Sequence, residues 1–162
     1  MLTDIEARIR GVLDDLGVEY EAVPSDPALA DTATFCATYG YDVADSPNTI
    51  VVRSRGNPPR YVACVVLATT RLDVNGVVRH RLGRKASFAD ADDTVELTGM
   101  SLGGITPVGL PAGMPIWIDP RVLERKRVII GGGSRNWKII AAPEFLLRLP
   151  GAEVVEGLAR DP

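Results

Sequence analysis

The chain has 162 residues, 46% hydrophobic and 24% charged, with 16 Gly and 12 Pro, a composition that suits one globular domain over 1–162 and excludes fibrous and disordered classes. Its formal net charge of −3 hides an asymmetry: residues 1–50 carry 2 basic and 10 acidic side chains, residues 51–140 carry 14 and 7. Such a basic middle suits a local polyanion-binding patch inside an acidic protein.

In chain order, Thr3-Asp4-Ile5-Glu6 fits a capping box, and Ile5, Ile9, Leu13 and Leu16 recur at helical spacing before Gly17, which predicts a helix over 4–16. A strand over 18–23 and a helix over 31–39, ending at Gly40 and capped by Asp31 or Thr32, follow. The β-branched runs at 48–52 and 61–67, joined by Gly56-Asn57-Pro58-Pro59, predict a hairpin of mostly buried strands. Next come a helix over 75–82, a strand over 85–88, and a helix over 90–97 whose Asp90, Asp92 and Asp93 favour its dipole. Strands over 115–119, 127–130 and 137–141, a helix begun by Pro143 and a strand over 152–155 complete the chain. Short strands, uneven helices and tight hairpins point to an α+β fold with a largely antiparallel, barrel-like sheet flanked by helices.

No apolar run approaches the roughly 18 residues that span a bilayer, and the acidic start differs from a basic-then-apolar secretory signal, so a cytoplasmic location without a membrane partner is the expectation. Cys36 and Cys64 are the only cysteines and form no C-x-x-C pair, which argues against a disulfide framework and a thiolate zinc site. His80 is the single histidine, inside Arg79-His80-Arg81, so a Ser-His-Asp or Cys-His system would rest wholly on it. Neither cysteine has an activating base beside it, and Asp90, Asp92 and Asp93 read as a helix start, so no metal site is expected.

What remains is Leu102-Gly103-Gly104-Ile105-Thr106-Pro107, where glycines permit unusual dihedrals and proline stiffens the loop. Successive amides aimed into a concavity would form an oxyanion site that needs no side chain. A second cluster, Gly131-Gly132-Gly133-Ser134-Arg135-Asn136, follows a predicted strand and offers the same pocket another backbone approach and a guanidinium.

Together the blocks Asn48–Val52, Ala63–Ala68, Arg84–Ala89, Glu96–Met100, Gly103–Pro107 and Pro150–Glu153, in this order over residues from about 30 to 158, resemble the YbaK/EbsC family of free-standing aminoacyl-tRNA deacylases. That family is related to the editing domain of bacterial prolyl-tRNA synthetases. The resemblance implies hydrolysis of the ester of mischarged tRNA without metal, cofactor or covalent nucleophile. The loop made of Gly103, Gly104, Ile105, Thr106 and Pro107 would place backbone N–H groups to stabilise the oxyanion, with proline shaping the loop, and water helped by a substrate ribose hydroxyl would attack. Many members carry a lysine just before the Thr-hydrophobic strand, and here that position is Asn48, which cannot neutralise charge. Arg135, Lys85 and Lys138 are the candidates to supply that cation; Thr32, Gly132 and Ser134 are further candidate binding residues. The implied partner is the aminoacylated 3′ end of tRNA, with an aminoacyl-tRNA synthetase as a second. The alternative is a non-catalytic tRNA- or synthetase-binding module with the same pocket.

Overall fold

In the computed structural model, which describes residues 3–162, the chain enters helix α1 (Asp4–Asp15) through the predicted capping box. The Glu6 amide donates to Thr3 Oγ1 at 3.2 Å and the Thr3 amide donates to Glu6 Oε2 at 2.9 Å. Strand β1 (Tyr20–Pro24) leads through a 3₁₀ turn at Pro27–Leu29 into α2 (Thr32–Tyr39), which stops at Gly40 in the left-handed region, φ 78°. The hairpin pairs β2 (Pro47–Ser54) with β3 (Tyr61–Leu67). After β4 (Arg71–Leu72), the predicted helix over 75–82 is a π-turn at Val74–Val78 continued by a single helical turn, α3 (Arg79–Leu82). Then come β5 (Ala86–Phe88) and α4 (Ala91–Thr98), whose Asp90 cap accepts from the Asp93 amide at 2.7 Å. The last third holds β6 (Ile116–Ile118), α5 (Pro120–Leu123), β7 (Val128–Gly131), β8 (Trp137–Ala141), a 3₁₀ segment at Pro143–Arg148, β9 (Ala152–Val154) and β10 (Ala159–Arg160).

Three sheets result: β1-β8-β7, β10-β4 and β5-β2-β3-β6-β9. The fold is α+β and most strand pairs are antiparallel, as expected, but β6 lies parallel to both β3 and β9. The sheets do not close into a barrel. Near β2 and β7 they are joined by side chains and by Ser46 Oγ donating to the Ile129 carbonyl at 3.2 Å, where a barrel would need a continuous ladder.

Strand β3 explains this architecture. It is buried on both faces, so its sequence reads as an unbroken apolar run, whereas a strand wet on one side would alternate. Val65 and Leu67 point into a core shared with Ile116 and Ile118 of β6, with Val128, Ile130, Trp137 and Ile139 of the three-stranded sheet, and with Ile9 and Leu13 of α1. Val62, Cys64 and Val66 point the other way, toward Val78, Leu82, Trp117 and Leu158. The outer face of the three-stranded sheet is covered by α2: Ile129 and Ile140 pack on Phe35 and Cys36. Lys138 belongs by strand alternation to this α2-covered face, which sets up the site below.

Candidate functional site

Where β2 of the five-stranded sheet meets β7 and β8 of the other, a cavity of about 290 Å³ opens. Its walls are the start of α2 (Asp31, Thr32), the entry of β2 (Ser46 to Ile50), the end of β7 (Ile129 to Gly131), Lys138 of β8, and Gly103 and Ile105. A larger cavity of about 430 Å³ lies between α1, the segment 107–116 and the segment 149–151. Every side chain lining that second space is apolar or absent, so acid–base or charge-stabilising chemistry belongs to the first.

The glycine-proline loop is fixed by main-chain pairing with the second glycine cluster. The Ser101 amide donates to Gly133 O at 2.9 Å, the Gly133 amide donates to Gly104 O at 2.7 Å, and the Gly104 amide turns back to Ser101 O at 2.9 Å. This pairing needs glycine at both partners. A Cβ on Gly131 would lie 2.7 Å from the carbonyl oxygens of Gly104 and Ile105, and one on Gly104 would run into the main chain of Ser134. Gly103 takes φ 83°, the left-handed region. The Gly103 and Ile105 amides have no acceptor among the described residues, and both residues line the cavity. Pro107 is buried and lines the apolar cavity instead.

Thr106 is wholly buried, and its hydroxyl has no hydrogen-bond partner among the described residues. An unpaired buried hydroxyl costs about 1–3 kcal/mol. Thr106→Val is therefore expected to raise the melting temperature by a few degrees, roughly 2–4 °C per kcal/mol at this chain length, as measured by differential scanning calorimetry. The loop's backbone function would be untouched.

Three cations were candidates to replace the lysine absent at Asn48, and the structure separates them. Arg135 is spent on the scaffold: its Nε donates to Pro27 O at 2.6 Å, and its Nη1 donates to Leu102 O at 2.9 Å and pairs with Asp31 at 3.1 Å. Lys85 is exposed at the start of β5, at the far end of β2 from Asn48. Lys138 lines the cavity, 5% exposed, with Nζ donating to Gly103 O at 2.7 Å and lying 5.6 Å from the Phe35 ring centroid. Burial, reinforced by the neighbouring Arg135 charge, pulls the Lys138 ammonium down to about 8. Opposite it, Thr32 Oγ1 donates to Asn48 Oδ1 at 2.9 Å, so both candidate residues face the cavity as a pair.

Gly132 and Ser134 do not line the cavity. Gly132 O accepts from Trp137 Nε1 at 2.9 Å, and buried Ser134 donates to Glu6 Oε1 at 2.7 Å, where Asn136 Nδ2 also donates at 3.1 Å. Burial pushes the Glu6 carboxyl up, but the hydrogen bonds from Ser134, Thr3 and Asn136 more than offset this and leave it below 4.5. A depressed carboxyl contributes stability that is present above its unfolded pKa and lost as pH falls through its folded one. Glu6→Gln should therefore be destabilised at pH 7 and should approach the parent protein as pH falls below the ordinary carboxylate range; urea midpoints measured from neutral to acid pH check it.

Sequence reading missed Asp31 and the wall from Ile129 to Gly131. Asp31 looks like a helix cap, and it does occupy that position, but its side chain makes no capping bond and faces Arg135 instead. The thiols stay discounted: Cys36 and Cys64 are buried and unpaired, and burial pushes Cys64 up to about 12. His80 is exposed and lines no part of the cavity. No helix among the described residues is long and apolar enough to cross a membrane.

Comparison with known proteins places the chain in a family. The Ser/Thr-tRNA deacylase ProXp-y of Escherichia coli K12, named as multifunctional, is 23% identical over 150 residues, covering 91% of this chain and 89% of that one. EbsC of Enterococcus faecalis, whose name proposes a Cys-tRNA(Pro)/Cys-tRNA(Cys) deacylase, is 25% identical over 101 residues; the alignment spans 62% of each protein. Among solved structures, the hypothetical protein APE2540 superposes with a TM-score of 0.84 at 26% identity, over 94% of this chain and 99% of that one. A proposed trans-editing enzyme for prolyl tRNA synthetase shares the fold, with a TM-score of 0.83 at 24% identity over the whole of both chains. A model of the aminoacyl-tRNA editing domain matches residues 26–149, and with more than half of its length so matched the chain belongs to that family.

Proposed function

We propose that the protein is a trans-acting aminoacyl-tRNA deacylase whose cavity between β2, β7 and β8 receives the aminoacylated 3′ end of a mischarged tRNA. The observation that carries this reading is the pair of unsatisfied amides, Gly103 and Ile105, at the wall of a cavity that also holds a buried ammonium. Donors already fixed in place stabilise charge that develops in the transition state without reorganising. The Gly103 and Ile105 amides would bind the oxyanion that forms as water, relayed through a ribose hydroxyl of the substrate, attacks the ester carbonyl. The ester C–O bond then breaks and the ribose oxygen takes up the proton, releasing the amino acid and free tRNA.

Lys138 takes the electrostatic role that Asn48 cannot fill. Its Nζ, held by Gly103 O beside the loop, is placed to favour the anionic intermediate or the terminal phosphate. The Thr32–Asn48 pair orients the ribose or the aminoacyl group by neutral hydrogen bonds. A cavity of about 290 Å³ with hydroxyl and amide walls suits a small, polar aminoacyl group better than a bulky apolar one.

A panel of tRNAs charged with small and large amino acids, incubated with the purified protein, tests the proposal. Release of at least one small aminoacyl group well above the buffer rate is expected. Tight binding with no release of any member would leave only a tRNA-binding module.

A further inference from the structure

We infer that a second surface, the groove between the π-turn Val74–Val78 and β5, binds the phosphate backbone of tRNA away from its aminoacyl end. Two cavities of about 490 and 280 Å³ form this groove, and they are continuous because Asn75, Ala86 and Ser87 line both. Five cations stand on the walls: Arg71 and Arg160 along one part, Arg55, Arg79 and Lys85 along the other.

Six of the protein's eighteen cations are matched by carboxylates among the described residues, and none of those six lies in the groove. Arg53, Arg81, Arg121, Arg125, Arg127 and Arg135 each pair with a carboxylate. None of the groove cations makes an ion pair among the described residues. The single acid on the walls, Asp73, is occupied: its two oxygens accept from the Gly76 and Val77 amides at 3.1 and 3.2 Å and hold the π-turn together. The groove therefore carries five positive charges against one negative, in a protein whose overall charge is −3.

Spacing and chemistry together select the ligand. Cations strung along a groove, each free of a carboxylate, match the regular charges of a nucleic-acid backbone better than one compact anion. Phe88, 59% exposed at the groove's lip, adds a flat apolar face on which an unpaired base can stack. Asn75 and Ser87 supply neutral donors for sugar and phosphate oxygens.

The groove also lies at a distance that a tRNA could bridge. Asn48 at the candidate cavity and Arg55 at the groove sit at opposite ends of the same strand, β2 and its first following residue. Seven residues of strand span roughly 23 Å. At about 3.4 Å per stacked nucleotide, that is roughly seven nucleotides of one RNA strand. One tRNA could thus fill both places, its ester in the cavity and its acceptor-stem phosphates on the groove. This register rests on the deacylase reading; the binding of RNA by the groove does not.

The test is binding of uncharged tRNA by fluorescence anisotropy at several salt concentrations, for the unmodified protein and for Arg79→Glu, Lys85→Glu and Lys126→Glu. Lys126 is exposed, lies outside the groove and makes no ion pair, so its reversal produces the same change in net charge. Each groove reversal is expected to weaken binding about 10-fold and to make the log–log salt slope shallower by about 1, as for a lost phosphate contact. Lys126→Glu should change affinity less than about twofold. Should a groove variant unfold, as circular dichroism would reveal, the neutral Arg79→Gln and Lys85→Gln replace it with smaller expected losses in the same direction. Equal effects of groove and control reversals, or no salt-dependent tRNA binding by the unmodified protein, would overturn the inference. Groove-dependent binding with no deacylation of any charged tRNA would sink the deacylase reading and leave the groove standing.

Discussion

Gly104→Ala is expected to reduce kcat for deacylation by about 10²–10³-fold, the loss seen when one oxyanion donor is removed from an enzyme that relies on it. A methyl group at this position would meet the Ser134 carbonyl oxygen and come within 2.7 and 2.8 Å of the Ser134 carbonyl carbon and amide nitrogen. These are main-chain atoms and cannot swing aside as a side chain could. The segment from Ser101 to Ile105 must therefore move off the Gly131–Ser134 turn, breaking the Gly133–Gly104 hydrogen bond and shifting the Gly103 and Ile105 amides. Overpacking of this kind also costs about 1–3 kcal/mol of stability. The useful comparison is Thr106→Val, two residues on, which alters the loop's side chain and leaves its amides alone. Single-turnover kinetics on a charged tRNA should show the first variant nearly inert and the second close to normal. Full kcat in a folded Gly104→Ala protein would rule out loop amides as the catalytic element.

Lys138→Met should make the protein more stable and less active together. At pH 7 the ammonium is still protonated, yet it is buried, so the folded state bears a desolvation cost that the unfolded state does not. Because the folded pKa of about 8 lies below the ordinary 10.5, the unfolded chain holds more protons between those values. Stability of the unmodified protein should accordingly rise as pH increases from about 8 to about 10.5. The methionine variant should lack that rise and should melt higher at pH 7. After the lost hydrogen bond to Gly103 O is set against the relieved burial, a net gain of about 1–2 kcal/mol is expected, or roughly 2–8 °C. Its kcat/KM should fall about 10- to 100-fold, the worth of a charge-assisted hydrogen bond. In the unmodified protein the rate above the buffer background should drop as pH passes through 8 and Nζ loses its proton. A variant as active as the parent at pH 7 would remove Lys138 as the replacement for the cation that Asn48 lacks.

How legible the molecule was in its sequence depended on how local each feature is. Helix α1 is set by a capping box and a four-residue apolar spacing, all within thirteen positions, and it formed as read. The β2–β3 hairpin was equally visible, because both runs are β-branched and contiguous. The parallel arrangement of β6 between β3 and β9 was not, since it depends on strands some fifty residues away in one direction and thirty-five in the other. Strands β4 and β10, two residues each, fall below any periodicity signal. At the site, Gly103 and Ile105 could be proposed because glycine and proline mark unusual backbone locally. Lys138 could be read only as one of three cations. Its burial depends on α2 covering that face of β8, and no local pattern reveals which helix covers which strand. Ser134 illustrates the reverse error: a hydroxyl in a glycine-rich turn invites a binding role, but its partner Glu6 lies 128 positions earlier in the chain.

The walls of the candidate cavity are drawn from Asp31 at one extreme of the sequence and Lys138 at the other, across the junction of two sheets that share no ladder. No fragment that lacks either end of the stretch 31–138 carries all of these walls. A nascent chain whose segment from Gly131 onward has not yet left the ribosome would have the glycine loop but neither Lys138 nor the second glycine turn that braces it. Competence therefore arrives only once Lys138 has been made and folded in, and copies truncated before it would be unable to strip correctly charged tRNA.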